Sequence, residues 1–267
     1  MRSSYIVVVC LLLQTFSSLC AQEAKPLKLG DLSTGTLTYP SLDNIDFREG
    51  TIECWVKFAF NPLEYLPSKE YLSMLSFWNV STPRGGMNVA FFTNAGMTNA
   101  TWFCSMGPKP LIHGTFIGTP GSDLHGKWQH LALAWKARET MAYLDGKLAG
   151  KVEHLQPPYQ VWGTLDVKPI FFGCQWNRYA LITIDDLRIS RIARKETELG
   201  WAVGELKPDP YTTLLDSFEG EFEPDGKLET KPLVIANGNG GLPSPQCQFA
   251  PGKFGKGLAF FNEGEKK

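Results

Sequence analysis

Two adjacent carboxylates, Asp185 and Asp186, stand in the phrase Ile184-Asp-Asp-Leu-Arg-Ile-Ser. Paired carboxylates do acid–base work only when both face one cleft. Consecutive strand residues point to opposite faces, so this pair is not expected to act as a catalytic dyad. His113, His125, His130 and His154 have no metal-ligand spacing, and no serine sits in a G-x-S-x-G turn. His130, in the middle of an apolar run, reads as a structural residue. Trp78, Trp102, Trp162 and Trp176 fall in expected loops or strand ends, where an indole can stack on a sugar; the competing reading is ordinary sandwich core. Trp176, in Cys174-Gln-Trp-Asn-Arg, has the most polar company and is the preferred ligand-binding candidate. Asn79-Val-Ser and Asn99-Ala-Thr fit the glycosylation sequon.

The elements that must position these residues read as short strands separated by turns. In Thr51–Phe58, Ile52, Cys54, Val56 and Phe58 alternate onto one face, with Glu53 and Lys57 on the other. Trp128–Lys136 places Leu131, Leu133 and Trp135 on one face and His130, Ala132 and Ala134 on the other, which predicts a sheet covered on both sides at that point. Met141–Leu144, Asp145-Gly146 and Lys147–Val152 form a hairpin signal, because a two-residue turn of this kind needs positive φ at both central positions. Further strands are expected at Val89–Thr93, Pro169–Gly173, Ile182–Ile189 and Thr213–Gly220, with a terminal strand after Phe249. Helical periodicity is confined to Ala193–Gly200, read as a turn or two of helix ending at Gly200. Many short strands with minimal helix predict an all-β antiparallel sandwich.

Met1-Arg-Ser-Ser followed by the apolar stretch Tyr5–Leu13 and then small and polar residues has the layout of a secretory signal, too short to span a bilayer. Cleavage after Cys20 or Ala21 predicts residues 1–21 as signal peptide and a secreted mature chain. A lipid anchor at Cys20 is the alternative, disfavoured by bulky Leu19. Four cysteines then remain, Cys54, Cys104, Cys174 and Cys247, without CxxC spacing. They are read as disulfide partners or as buried thiols behaving as small apolar residues. The chain has 267 residues, a formal net charge of −1 and no single-sign block, which excludes an electrostatic footprint for nucleic acid. No later segment is apolar for long enough to span a membrane. The prolines between Glu205 and Pro210 read as a linker, dividing a domain over 22–200 from C-terminal strands over 201–267. Those strands either dock on the first domain or open a truncated second module.

Four phrases in order, Gly50-Thr-Ile-Glu-Cys-Trp-Val-Lys, Gly126-Lys-Trp-Gln-His-Leu-Ala-Leu-Ala-Trp, Ala142-Tyr-Leu-Asp-Gly-Lys-Leu and Ile184-Asp-Asp-Leu-Arg-Ile-Ser, resemble the laminin-G-like, concanavalin-A-like jelly roll over about residues 27–195. Cys54 departs from the aromatic or aliphatic residue usual there. Leu214-Leu-Asp-Ser-Phe-Glu and Gly252-Lys-Phe-Gly-Lys-Gly-Leu-Ala-Phe-Phe resemble the opening phrases of such modules, here placed at the C-terminal end. The resemblance implies two antiparallel sheets packed face to face. It also implies a recognition module for carbohydrate or a glycoconjugate, with a structural or adhesive protein-binding role as the alternative and a glycoside hydrolase as the third reading. The hydrolases of this fold carry an E-x-D-x-x-E strand that this sequence lacks. Some modules of the superfamily bind calcium near the last strand, which would make Asp185 or Asp186 an oxygen ligand.

Overall fold

The computed structural model describes residues 35–59, 73–82, 85–93, 100–107, 113–117, 126–157, 159–160, 170–173, 182–220, 230, 232–236 and 241–261, with side chains outside 73–117. Among the described residues sixteen strands form an antiparallel β-sandwich. In chain order they are β1 (Thr36–Tyr39), β2 (Glu49–Phe58), β3 (Ser73–Thr82), β4 (Gly85–Thr93), β5 (Ala100–Gly107), β6 (His113–Ile117), β7 (Trp128–Lys136) and β8 (Glu139–Leu144). There follow β9 (Lys147–Glu153), β10 (Ile170–Gly173), β11 (Ile182–Ser190), β12 (Thr212–Asp216), β13 (Val234–Ile235), β14 (Leu242–Pro243), β15 (Gln248–Pro251) and β16 (Lys256–Ala259). One sheet runs β14-β1-β10-β3-β4-β5-β6, and the other runs β13-β12-β11-β2-β7-β8-β9 with β16 also on β11 and β15 on β16.

The alternation read from the sequence is the alternation of the core. Ile52, Cys54, Val56 and Phe58 of β2, with Leu131, Leu133 and Trp135 of β7, are buried together with Leu37, Tyr39, Ile170 and Phe172 from the other sheet. Tyr39 ties the layers with a hydroxyl that donates to Asp216 Oδ2 at 2.6 Å. The Asp145-Gly146 turn has φ of +49° and +73°, as a two-residue hairpin of this type requires.

The opposite face of β2 and β7 is also dry. Ala132, Ala134 and Tyr143 pack against Leu199, so the segment after β11 forms a cover over this part of the sheet. Helix here departs from expectation. A 3₁₀ turn spans Glu196–Glu198, and a four-residue α-turn begins, rather than ends, at Gly200 and runs to Val203. Gly200 starts the turn because its N–H donates to Glu53 Oε2 at 2.7 Å and because a Cβ there would strike the His130 ring.

Glu53, expected only to face away from the core, is completely buried beneath that cover. Its Oε1 accepts from Arg188 Nε at 2.9 Å and Nη2 at 2.6 Å, and its Oε2 accepts from His130 Nε2 at 3.0 Å. Burial pushes the Glu53 carboxyl up, but the His130 hydrogen bond and the Arg188 charge outweigh it and hold the group below its ordinary value. His130 thereby takes a structural part.

Removing one member of a buried ion pair strands the other without water. Glu53→Ala is therefore expected to lower unfolding free energy by about 3–5 kcal/mol, measured by urea titration, with Glu53→Gln losing less. A loss near 0.5 kcal/mol would show that Arg188 finds another partner.

Candidate functional site

Between β1 and β2 the chain makes a tight loop whose side chains alternate. Ile45 and Phe47 are buried, while Asp46 and Arg48 project outward. The loop turns at Asp43, whose φ of +62° suits a short polar side chain, and closes with Asn44 and Ile45 N–H groups donating to Ser41 O. Neighbouring elements lock it. Trp135 Nε1 donates to Asp46 O at 2.8 Å, Thr213 Oγ1 donates to Asn44 O at 2.7 Å, and Ala236 N donates to Asn44 Oδ1 at 3.1 Å.

This rigid loop forms one wall of an open cleft of about 490 Å³. Leu42, Asp43, Asp46, Arg48, Tyr159 and Arg191 present the side chains, over a floor that includes Ile45, Phe47 and Thr213. Arg48 Nη2 donates to Asp46 Oδ2 at 2.7 Å, Arg48 Nε donates to Oδ1 at 3.0 Å, and the Arg48 backbone N–H donates to Oδ1 at 2.9 Å. The Arg48 hydrogen bonds hold the Asp46 carboxyl below the usual carboxylate range, which suits it to accept hydrogen bonds rather than to give up a proton. Tyr159 is 40% exposed.

The aspartates singled out in the sequence lie elsewhere. Strict alternation fails at them: Asp185 faces Trp55 and Arg188 faces Glu53, three steps against two, so β11 carries a bulge and Asp186 takes φ of +47°. Asp185 Oδ2 accepts from Lys253 N at 2.7 Å and Phe254 N at 2.8 Å, and its Oδ1 accepts from Asp186 N at 2.8 Å. Asp186 Oδ2 accepts from Leu206 N at 2.8 Å, leaving Oδ1 as a buried acceptor without a partner. Both Asp185 oxygens are thus engaged by N–H donors, which repel a cation, and one remaining oxygen falls far short of the six to eight that calcium takes. This donor set does not fit calcium, and among the described residues no cluster of His, Cys, Asp and Glu fits a metal ion.

Trp162, Trp176, Cys174 and Asn99 lie outside the described residues, as do the residues of the expected signal peptide. Trp78 and Asn79 lie on β3, and Trp102 and Cys104 on β5, with side chains outside the description. Cys54 and Cys247 are buried free thiols. Burial pushes the Cys54 thiol well up and the Cys247 thiol up to about 11, so both are inert. The sequence reading missed the cleft residues. The one signal that could have found them is the apolar–polar alternation Ile45-Asp-Phe-Arg ahead of β2. Trp201 was missed as well: it is half exposed, rests on the Gly146 turn and lies 5.8 Å from the Trp55 ring.

Two antiparallel sheets of this order define a β-sandwich of the jelly-roll type. The chain belongs to the Laminin_G_3 family of the concanavalin A-like lectin/glucanases superfamily, which matches residues 31–200. No curated protein matches the sequence. Among solved structures, a candidate carbohydrate-binding protein from Bacteroides ovatus is similar with a TM-score of 0.55 and 14% identity, over 80% of this chain and 56% of that one. This chain therefore spans little more than half the length of that protein. The enzymatically active domain of bacteriophage CBA120 tailspike protein 2 has a TM-score of 0.48 and 10% identity, over 68% of this chain and 28% of that one. The CBM40 of Ruminococcus gnavus IT-sialidase, bound to α2,3-sialyllactose, has a TM-score of 0.40 and 12% identity, over 58% of this chain and 82% of that one.

The Asp185–Asp186 bulge has a pH signature. Burial, added to by the Asp186 charge, pushes Asp185 up to about 7 against its three N–H donors. Burial, added to by the Glu205 charge, pushes Asp186 up to about 6 against the Leu206 N–H. A folded-state value above the unfolded one means stability that is fully present below the ordinary value of 3.8 and lost progressively as pH rises through about 6 to 7. Asp186→Asn keeps a side chain that tolerates positive φ and removes the buried charge. It is expected to raise Tm by about 2–4 °C at pH 8, with the gain shrinking as pH falls below about 6 and vanishing only near the ordinary carboxylate value of 3.8. Scanning calorimetry across that range checks it; a variant less stable at pH 8 would show that the ionised carboxylate is needed.

Proposed function

We propose that the protein is a secreted, non-catalytic module that binds carbohydrate in the cleft beside the β1–β2 loop. Membership of the superfamily is compatible with lectin-like and hydrolytic roles alike, so the argument rests on the site. The observation that carries it is the Asp46–Arg48 pair, a planar and pre-aligned set of donors and acceptors next to a half-exposed Tyr159 ring. Sugars are recognised by such combinations, hydroxyls by fixed polar groups and the C–H face of the ring by an aromatic. Among the described residues no histidine, cysteine or glutamate lines the cleft, and the Arg48 hydrogen bonds hold Asp46 below the usual carboxylate range, which disfavours it as a proton-donating general acid. The apolar N-terminal stretch Tyr5–Leu13 supports export, and the pairing of β12 and β16 with β11 supports the C-terminal strands as part of one folding unit.

A glycan array on the exported chain tests the reading, followed by calorimetric titration of the best ligand. Tyr159→Ala and Arg48→Ala should each weaken binding about five- to tenfold while the melting temperature stays within about 2 °C of the parent. Leu155→Ala, an exposed position outside the cleft, should leave affinity unchanged. Background signal across the array, or turnover of any glycan, would count against the proposal. Capture of a protein partner unaffected by added sugars would favour the adhesive alternative.

A further inference from the structure

The cleft carries its own charge balance, and that balance restricts its ligand. Among the described residues two arginines and two aspartates line it, and their formal charges cancel: Arg48 and Arg191 against Asp43 and Asp46. The cancellation is local as well as formal. Arg48 spends Nε–H and one Nη2–H on Asp46, at 3.0 Å and 2.7 Å, which leaves three of the five guanidinium N–H bonds pointing elsewhere. The pair stays accessible, with Arg48 73% and Asp46 38% exposed.

From this geometry we infer that the cleft selects uncharged sugars bearing vicinal hydroxyls and discriminates against acidic ones. The inference rests on the carbohydrate reading of the same site. A vicinal diol offers a donor and an acceptor on each hydroxyl, and the outward edge of a paired guanidinium and carboxylate offers the same in complement. A sugar carboxylate or sulfate needs a cation whose charge is still available. Arg48 is already neutralised by Asp46, and an anion entering the cleft meets the Asp43 and Asp46 carboxylates. Like charges brought together are a device of exclusion in recognition sites generally. Arg191 and Asp43 are both exposed, so water and salt weaken the attraction of the one and the repulsion of the other alike, and the discrimination falls chiefly on the Arg48–Asp46 pair. Asp46 is thus both a hydroxyl acceptor and the residue that cancels the cleft's cation.

The test is calorimetric titration of the full chain with matched oligosaccharides, uncharged or carrying a uronate, sialate or sulfate. The uncharged member of each pair should bind at least about tenfold more tightly, and its Kd should change less than about twofold between about 20 mM and 500 mM NaCl. Asp46→Asn should weaken the uncharged ligand about tenfold, since the acceptor charge and the alignment of Arg48 go together. Asp43→Asn, at an exposed loop position, should narrow the gap between uncharged and acidic ligands without a change in melting. An acidic glycan that binds as tightly as its uncharged partner, with an affinity that falls steeply with salt, overturns the inference and leaves carbohydrate binding intact. Silence toward every glycan overturns both.

Discussion

A carboxylate buried under a cover it helps to hold governs this structure. Glu53 sits on the face of β2 that a plain sandwich would leave to solvent, and an ionised group there is costly unless all its lone pairs are used. Arg188, His130 and the Gly200 N–H use them. Two of these partners belong to the same sheet, but the third belongs to the cover. Arg188 also donates to Glu198 O, so the cover is held from two directions. Arg194 continues the clamp, with Nε donating to Ser190 Oγ at 2.9 Å and Nη2 making a bidentate contact with Asp209 at 2.9 and 2.7 Å. The apolar packing of Leu199 on Ala132 and Ala134 supplies area, and the polar network supplies register.

The same strand that provides Arg188 divides the sheet. Because β11 spends an extra residue at its bulge, its first half pairs with β16 at Thr183 and Ile184, while its second half pairs with β12 from Leu187 to Ser190. Asp185 and Asp186 stand at the break and bind the backbone N–H groups of the two segments that flank it, Lys253 and Phe254 on one side and Leu206 on the other. A bulge re-aims side chains and ends pairing, and here it does both. Burial in a space with little water raises both carboxyls toward neutrality, against the peptide N–H groups they cap.

Legibility in the sequence follows the range of the interaction. Asp145-Gly146 was readable because a two-residue turn is settled by the residues within it. The inward faces of β2 and β7 were readable because alternation is a local property of the pleat. Glu53 was half readable: alternation says which way it points, but not that Arg188, 135 residues away, will meet it there. The surroundings of Asp185 and Asp186 were not readable for the same reason, since strict alternation holds only while the register with β2 holds, and the register is a property of both strands. The helical turn was found in the right neighbourhood and ended at the wrong side of Gly200, because Glu53 rather than propensity sets its start. Trp78 and Trp102 drew attention as large aromatics, whereas the cleft offers a tyrosine at 159 that no neighbouring motif announces.

The cleft shows how a rigid frame makes short polar side chains selective. Its wall is only a few residues long, yet Trp135, Thr213 and Ala236 each fix a backbone or side-chain atom of it from separate elements. With the loop held, the alternation of Ile45 and Phe47 inward sets Asp46 and Arg48 outward on the same edge, two residues apart, where a bidentate pair can close. A pair formed in advance loses little freedom when a ligand arrives, and the ligand need not displace a mobile side chain from water. The folding constraint and the recognition property therefore have one origin. Burying Ile45 and Phe47 places Asp46 and Arg48 side by side, and their mutual neutralisation decides what kind of molecule the cleft can hold.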